Sequence, residues 1–331
     1  MYKVAIIGCG RIGCGFDDDP KRKTISTHAK AYSMLKNVKL VALCDIDKEK
    51  LEKYGSRYNV KKTYLDYDQM FNEQTLDIVS ICTLEVDHLD LVKAASNAGV
   101  RAIFCEKPIA DTIEHAKEMI KVCENNRTIL MIDHQRRFDP LFSTIKSNIE
   151  NNFLGRIYHC VFYYTAGLFN TGTHIIDLMR YFFGDIEWII GEYSNAKSSK
   201  INDPNIDGIL KFKNGVIASL HALDVNNYLI FEGDILGSLG RLRILDSGFN
   251  IEYYKISESP FFAGYKELKR SRLPFKIPSK REPMLEGIKH IIDCIHKKKS
   301  PISSGKDGLN ALEALFALRR SADNNCEKIY L

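Results

Sequence analysis

The chain has 331 residues, enough for about two domains of roughly 150 residues each. Hydrophobic residues make up 45% and charged residues 27%, which excludes an intrinsically disordered protein. The net charge of +5 is scattered along the chain, so we expect no nucleic-acid partner. The nine cysteines are irregularly spaced without a CxxC pair, which favours reduced thiols and predicts no metal site.

The hydropathy pattern excludes a membrane protein. No apolar run approaches the roughly 20 residues that span a bilayer. The N-terminus leads directly into a short apolar strand pattern and lacks the features of a secretory signal. We therefore expect a cytoplasmic protein with no membrane partner.

Short apolar runs alternate with helical patterns over residues 1–135, as in βαβ units. The runs lack strict alternation, which is typical of strands buried on both faces of a parallel sheet. Residues 1–134 are therefore predicted to form an α/β Rossmann domain with a doubly wound parallel sheet. The predicted strands are Tyr2 to Ile7, Lys39 to Cys44, Asp77 to Cys82, Arg101 to Cys105 and Thr128 to Ile132, and the predicted helices include Asp47 to Tyr58, His88 to Ala98 and Thr112 to Asn125.

The pattern changes after residue 135 to longer alternating runs, which are typical of antiparallel strands. Residues 135–331 are predicted to form an α+β domain with an open, mainly antiparallel sheet that binds substrate and other copies of the chain. We expect its helices to cover one face of that sheet, and the basic, proline-containing segment Tyr265 to Arg281 predicts a loop. The predicted strands include Arg156 to Tyr164, Gly208 to Phe212, Val216 to Leu223 and Asn250 to Ile256, and the predicted helices are Thr173 to Phe183, Pro283 to Lys299 and Gly308 to Asn324.

A GxGxxG motif, Gly8 to Gly13, follows the first predicted strand directly. Glycines there allow a tight turn and let the backbone approach a pyrophosphate closely. Asp45 ends the second predicted strand, where a carboxylate can bind a ribose 2′-hydroxyl and repel a 2′-phosphate. The pattern favours NAD over NADP, although an ordinary turn and a surface acid are the structural alternatives. The motif residues predicted to contact the cofactor are Gly8, Gly10, Arg11, Ile12 and Gly13.

The first predicted helix is interrupted. Gly13 and Asp45 are 32 residues apart in this sequence, whereas the usual separation is about 20. Residues 16–25 are charged and contain Pro20, so we interpret them as an insertion, after which the helix resumes near Ser26. A solvated loop and a flap over the cofactor or substrate are both consistent with this segment.

The triplet Glu106-Lys107-Pro108 follows the fifth predicted strand. A lysine at the carboxyl edge of a parallel sheet lies where ligands bind, and it can polarise a substrate hydroxyl or act as a base. Taken together and in this order, several segments resemble the Gfo/Idh/MocA oxidoreductases. They are Gly8 to Gly13, Asp45, Glu106 to Pro108, Gln135 to Pro140, Gly172 to Leu178 and Pro301 to Leu309.

The resemblance implies a Rossmann domain followed by an open-sheet α/β domain, and oxidation of sugars, cyclitols or nucleotide-linked sugars with NAD or NADP. We also expect a homodimer or homotetramer formed through the C-terminal sheet. Lys107 matches the family's catalytic lysine, and His174 matches its active-site histidine. The family's acid four positions earlier is Asn170 here, and an amide cannot take a proton at neutral pH. Proton abstraction therefore falls to His174 or Lys107, and Asn170 is expected to position substrate.

Five residues receive supporting roles. Thr83 and His88 resemble the family's TPxxxH stretch, with Leu84 in place of its proline, and they are predicted to contact the cofactor together with Glu106. Asp177 can orient His174 or have a purely structural role. Arg137 can contact substrate or form a structural ion pair at the domain junction.

Three functions are consistent with these residues. The leading hypothesis is an NAD-dependent dehydrogenase that oxidises a secondary alcohol of a sugar-like substrate. A non-catalytic sensor of NAD or sugar is the first alternative, because Asn170 is the kind of change that accompanies loss of catalysis, whereas retention of Lys107 and His174 favours an enzyme. An NAD-dependent glycosidase is the second alternative, which no residue of this chain selects.

Overall fold

The structure is a computed structural model that describes residues 1–331, and it forms two compact units. The first unit contains residues 1–140 and 280–312, and the second contains residues 141–279 and 313–331. Residues 280–312 thus belong to the first unit, beyond the range 1–134 predicted for it. No helix combines the length and the apolar character needed to cross a bilayer.

The first unit contains a six-stranded sheet in which every neighbouring pair is parallel. The strand order is 3-2-1-4-5-6, which is the doubly wound order and confirms the predicted fold class. The sequence did not reveal β3, because it has three residues and two of them are exposed. The strands are β1 (Tyr2–Ile7), β2 (Val38–Cys44), β3 (Lys62–Tyr64), β4 (Ile78–Ile81), β5 (Ala102–Cys105) and β6 (Ile129–Ile132).

Five helices connect these strands, and side-chain caps determine where three of them begin. Thr27, Asp47 and Thr112 each accept a hydrogen bond from a backbone N–H three residues later, which satisfies a donor that the first helical turn leaves unpaired. The helices are α1 (His28–Ser33), α2 (Lys48–Tyr58), α3 (Tyr67–Glu73), α4 (His88–Asn97) and α5 (Ile113–Asn126).

The helix after residue 280 packs against the first sheet. α8 (Pro283–Lys297) contacts α1, β5 and β6, and its Ile288 and Ile291 are fully buried in the same core as Phe104. The prediction that this helix covers the C-terminal sheet was wrong. Its amphipathic pattern shows which face is apolar, but it does not show which sheet that face covers.

The second unit contains a nine-stranded sheet with the order 14-13-12-11-7-10-9-8-15. Strands 7 and 10 are parallel and the other neighbours are antiparallel, which confirms the predicted mixed, mainly antiparallel sheet. Its strands are β7 (Ile157–Thr165), β8 (Ile186–Tyr193), β9 (Ile206–Phe212), β10 (Ile217–Leu223), β11 (Phe231–Gly237), β12 (Gly240–Leu245), β13 (Asn250–Glu258), β14 (Lys266–Ser271) and β15 (Ile329–Tyr330).

Two predictions for this sheet have different outcomes. The loop predicted over 265–281 was wrong for β14, which pairs with β13; as an edge strand rich in charged residues it lacks an apolar pattern. Helices do cover one face of this sheet, as predicted. The ring centre of Phe183, on a helix, lies 5.5 Å from that of Phe212, on β9, and the helical Leu318 lies against Gly208 of the same strand. The helices of this region are α6 (Pro140–Glu150), α7 (Thr173–Phe183) and α9 (Gly305–Asp323).

Candidate active site

The glycine loop lies between the carboxyl ends of β1 and β4, where the strand order reverses. Gly8 has a positive φ of 93°, and a side-chain carbon there would approach the Cys82 carbonyl to 2.7 Å. Gly10 has no atom within 4 Å of the position of a side-chain carbon, so its surface is open. Ligands of doubly wound sheets bind at this switch point. The loop therefore has the close backbone packing and the open side that a pyrophosphate requires.

Asp45 lies beside this loop although the two are far apart in sequence. One carboxylate oxygen accepts a hydrogen bond from the Cys9 N–H at 2.6 Å, and the other accepts one from the Asp47 N–H at 2.8 Å. Asp45 is only half-buried, and each oxygen keeps a lone pair for a further donor. A ribose hydroxyl can be that donor, so the residues fit the NAD that the sequence predicts.

The insertion is attached to α2 through Asp18. The Asp18 carboxylate accepts hydrogen bonds from Lys53 Nζ at 2.7 Å and from the Tyr54 hydroxyl at 3.0 Å, and it also pairs with Arg57. The hydrogen bond from Lys53 has the largest effect on the pKa of Asp18, and together with those from Arg57 and Tyr54 it outweighs burial and lowers that pKa to about 2. This segment is thus held by an ionised carboxylate at neutral pH.

The insertion also forms one wall of a cavity of about 530 Å³ beside the glycine loop. The guanidinium groups of Arg11 and Arg22 lie 4.7 Å and 3.9 Å from the centre of the Phe16 ring. Cationic groups held at such a position attract anionic ligands. The cavity is lined by Cys9, Gly10, Arg11, Gly15, Phe16, Asp18, Asp19, Arg22, Lys50 and Tyr54.

Lys107 follows the carboxyl end of β5, in the loop that the Lys107–Pro108 cis peptide bond begins. The fully buried His88 supports this loop, because its Nδ1–H donates to the Ile109 carbonyl at 3.0 Å. Burial lowers the pKa of His88, so the ring is neutral at neutral pH. Thr83, by contrast, is half-exposed next to Gly8. Of the two residues in this predicted stretch, Thr83 has the exposure that a cofactor contact requires.

Glu106 faces inward, toward a buried cluster that the sequence did not predict. Its Oε1 lies 3.1 Å from His28 Nε2, and Asp133 Oδ2 lies 3.6 Å from the same nitrogen. The three side chains are all buried, and their donor atoms lie within 4.8 Å of one another. Spatial proximity of this kind is compatible with a metal when the ring is neutral, whereas a protonated imidazolium cannot ligate one. The available sequence signal was Ser80, a polar residue inside an apolar strand.

In the second unit, Asn170 lies in the turn that precedes α7, and His174, four positions later, is the second residue of that helix. Asp203 holds the turn that precedes the helix, since its carboxylate accepts the Phe169 and Asn170 N–H groups at 2.8 Å and 2.9 Å. Asn170 is exposed and His174 half-buried, whereas Asp177 is 1% exposed. The first two are accessible to a ligand, and Asp177 is part of the packed helix.

Arg137 lies in the first unit and is 5% exposed. Its guanidinium donates to the Ile302 carbonyl at 2.7 Å and to Asp307 Oδ1 at 2.9 Å. Burial opposes ionisation of Asp307, but the Arg137 charge and the hydrogen bonds from Ser304 outweigh it and lower the pKa of Asp307. The contacts correspond to the structural ion pair, which was one of the two roles considered for Arg137.

Comparison with known proteins covers both units. Residues 2–134 match the model of an oxidoreductase family with an NAD-binding Rossmann fold (GFO_IDH_MocA), and residues 142–243 match the GFO/IDH/MocA C-terminal domain. D-apiose dehydrogenase of Paraburkholderia graminis is 27% identical, over 97% of this chain and 88% of that protein. Myo-inositol 2-dehydrogenase of Thermotoga maritima is 24% identical, over 97% and 96% of the two chains.

Solved structures show the same fold. The WlbA dehydrogenase of Bordetella pertussis, in complex with NADH and UDP-GlcNAcA, aligns with a TM-score of 0.80 and 21% identity over 100% of this chain and 98% of that one. Myo-inositol 2-dehydrogenase of Lactobacillus plantarum aligns with a TM-score of 0.78 and 23% identity, over 100% of this chain and 99% of that one. With both halves of the chain matched, and a glycine loop and Asp45 that fit the nucleotide, this protein belongs to the Gfo/Idh/MocA family of NAD-binding oxidoreductases.

Proposed function

We propose that this protein is an NAD-dependent dehydrogenase that oxidises a secondary hydroxyl of a sugar, cyclitol or nucleotide-linked sugar by hydride transfer to nicotinamide. The observation that carries the proposal is the position of Lys107, at the carboxyl edge of the sheet whose switch point holds the glycine loop. The full-length relatives named as dehydrogenases of apiose and myo-inositol support the substrate class.

The chain's own residues account for cofactor binding. The amides of the glycine loop would hold the diphosphate of NAD, and the Asp45 carboxylate would accept a hydrogen bond from the adenosine ribose. Arg11 and Arg22, stacked on Phe16, would add positive charge for the diphosphate. When bound, NAD supplies the hydride acceptor, so the protein must supply only orientation and a destination for the hydroxyl proton.

We assign that proton to His174. Imidazole has an unperturbed pKa near 6.5 and takes a proton readily at neutral pH, whereas the Asn170 amide only donates and accepts hydrogen bonds. Lys107, as an ammonium, donates to the substrate oxygen and stabilises the negative charge that develops there. The hydroxyl proton of the substrate would thus pass to His174, the carbon that bears the hydroxyl would give its hydride to NAD, and the products would be a carbonyl compound, NADH and one proton.

The Asp45 assignment predicts cofactor preference. Replacing Asp45 by serine removes the negative charge that repels a 2′-phosphate, so the ratio of kcat/KM for NAD to that for NADP should fall by about tenfold or more, equal to about 1.4 kcal/mol. Steady-state kinetics with both cofactors measures this ratio. Asp47→Asn is the control, because Asp47 caps α2 two residues further on and its replacement should leave the ratio unchanged. Wild-type preference for NADP would contradict the assignment.

A panel of sugars, inositols and nucleotide sugars tests the proposed function. Incubation with NAD should produce absorbance of the reduced cofactor with at least one of them, and the same compound should raise the melting temperature. Product analysis separates the alternatives, since a glycosidase would release an aglycone without net NADH. Stabilisation by a sugar with no NADH formed and no cleavage would indicate a sensor and overturn the proposal.

We further propose that the protein assembles as a homodimer or homotetramer through the uncovered face of the second sheet, in the cytoplasm, where its nine free thiols stay reduced. Val161, Tyr163, Ile209 and Ile217 expose apolar atoms on that face. The double substitution Val161→Asp and Ile209→Asp should dissociate the assembly to the 37.8 kDa monomer in sedimentation. Leu229→Asp, at an exposed loop position, is the control. A monomeric wild-type protein would contradict the assembly.

A further inference from the structure

The buried cluster behind Lys107 is the feature of the first unit that the proposed mechanism leaves unused. His28 comes from the start of α1, Glu106 from the end of β5, and Asp133 from the end of β6. Two carboxyl groups and one imidazole without access to water are costly unless they neutralise one another. Packing alone therefore does not explain why these three groups are buried at the carboxyl edge of the sheet.

The imidazole of His28 is held on both sides. Its Nδ1 lies 2.9 Å from Ser80 Oγ, and Ser80 Oγ in turn lies 2.8 Å from the Tyr32 hydroxyl. Its Nε2 faces the two carboxyl groups. Carboxyl groups at Nε2 require a proton on that nitrogen, and their negative charge favours the imidazolium, whose Nδ1–H then donates to the Ser80 hydroxyl.

The two carboxyl groups differ in how readily they ionise. Burial, and then the charge of Asp133, raises the pKa of Glu106 to about 7. Burial also opposes ionisation of Asp133, but the hydrogen bond and the charge of His28 outweigh it and lower its pKa. Burial likewise opposes the charge on His28, but the hydrogen bonds with Asp133 and Glu106 favour it, and the pKa of His28 is raised. At neutral pH His28 and Asp133 are therefore both ionised, whereas Glu106 is partly protonated.

The remaining titratable groups around the cluster do not compete for this proton. Cys82 follows β4, Cys105 ends β5, and Tyr32 lies on α1. Burial raises the pKa of all three groups, to about 12 for Tyr32. They are uncharged at neutral pH, and the charge of the cluster changes only when Glu106 gains or loses its proton.

Glu106 connects this cluster to Lys107 directly. The second carboxylate oxygen, Oε2, accepts the backbone N–H of Lys107 at 3.3 Å, while Oε1 is held by His28. The orientation of the Lys107 backbone is thus coupled to the cluster. Glu106 and Lys107 are adjacent in the chain, so the negative charge of the ionised Glu106 carboxylate favours the ammonium form of Lys107.

We propose that His28, Glu106 and Asp133 form a buried charged cluster that positions Lys107 and, through the negative charge of Glu106, extends to higher pH the range in which Lys107 is cationic. The effect of the cluster on catalysis rests on the proposed dehydrogenase function, whereas the coupling between the charges of Glu106 and Lys107 does not. His28 and Asp133 act through Glu106, so they are positioning residues.

The test measures proton binding without turnover. In protein labelled with carboxyl-¹³C glutamate, one signal should titrate near pH 7 and be missing in Glu106→Gln. Asp133→Asn removes the neighbouring negative charge, so this signal should titrate about one pH unit lower or more. A second sample carries ε-¹³C lysine, and the signal of Lys107 is assigned by its loss in Lys107→Arg. In this sample, Glu106→Gln should lower the pH at which Lys107 titrates by on the order of 0.5 unit. Asp77→Asn, at the opposite edge of the sheet, should move neither signal.

Several outcomes would overturn the proposal. They are a Glu106 signal with ordinary carboxylate titration, a signal that Asp133→Asn leaves in place in a folded protein, and a stoichiometric metal in the purified protein that is lost in His28→Gln. If Glu106→Gln does not fold, Asp133→Asn still decides the matter, because it leaves the Glu106 contact to Lys107 intact.

Kinetics connects the cluster to catalysis. Glu106→Gln should lower kcat by about tenfold and leave KM for NAD within twofold, since the cofactor contacts lie elsewhere. If the sugar panel gives no turnover with wild-type protein, the proposed dehydrogenase fails and the two titrations still test the cluster. Normal kcat in Glu106→Gln, with turnover in the wild type, would refute the positioning role.

Discussion

Replacing Lys107 by alanine should lower kcat by about 10²-fold or more, the scale of a positioned proton-transfer or charge-stabilising group. The loss is specific to the chemical step, because Lys107 follows β5 and the residues that fit the nucleotide lie on β1, β2 and their loops. Binding of NAD, measured by calorimetry or fluorescence, should therefore remain within a few-fold of wild type. Initial rates of NADH formation at saturating substrate give kcat.

Two variants separate this effect from a general loss of structure. Lys107→Arg retains a positive charge but changes its geometry, so it should recover part of the activity. Lys93→Ala removes a partly exposed lysine of the same unit that pairs with Glu118, and it should be close to wild type. Near-normal kcat in Lys107→Ala, or an unfolded variant, would end the assignment of Lys107 to chemistry.

His174→Ala should reduce kcat by about 10²-fold or more and remove most of the limb of the pH–rate profile near neutrality. The physical reason is that a base must be deprotonated to accept the hydroxyl proton, so the rate should rise with pH through the titration of that base and then level off. The measurement is kcat across pH 5 to 9, roughly the range in which an imidazole changes charge.

Asn170 provides the matched comparison one helical turn away. Asn170→Ala should mainly raise KM, because the amide contributes hydrogen bonds to substrate and no proton transfer. Asn170→Asp introduces a second group that can take a proton, and it should lower or broaden the pH optimum. Should His174→Ala keep the wild-type profile while Lys107→Ala abolishes its rise, Lys107 would be the base and the two roles would be exchanged.

Local sequence patterns were sufficient for the parts of the protein that depend on a few neighbouring residues. The Gly8 to Gly13 loop follows β1 as predicted, because strand, glycines and turn are contiguous. The motifs also identified the family, and the parallel and mainly antiparallel sheets follow from the different alternation of apolar residues before and after residue 135.

Contacts between distant segments were harder to predict. The apolar stripe of α8 was visible in the sequence, but its partner, the first sheet, was not. The insertion was recognised at residues 16–25, yet its attachment through Asp18 to α2 depends on a contact across 35 to 39 positions. Charged side chains make such contacts without any periodic pattern.

The buried cluster is the clearest case of what the tertiary structure decides. The sequence by itself determined that Glu106 precedes the proposed catalytic lysine, and it suggested a cofactor contact for that carboxylate. The fold also brings Glu106 to His28 and Asp133, which are 78 and 27 positions away in the sequence. Adjacent parallel strands have their carboxyl ends at the same edge of the sheet, whatever the length of the chain segment that connects them. Titratable side chains from distant segments therefore lie together there without any sequence motif. Their charges interact strongly because the fold buries them.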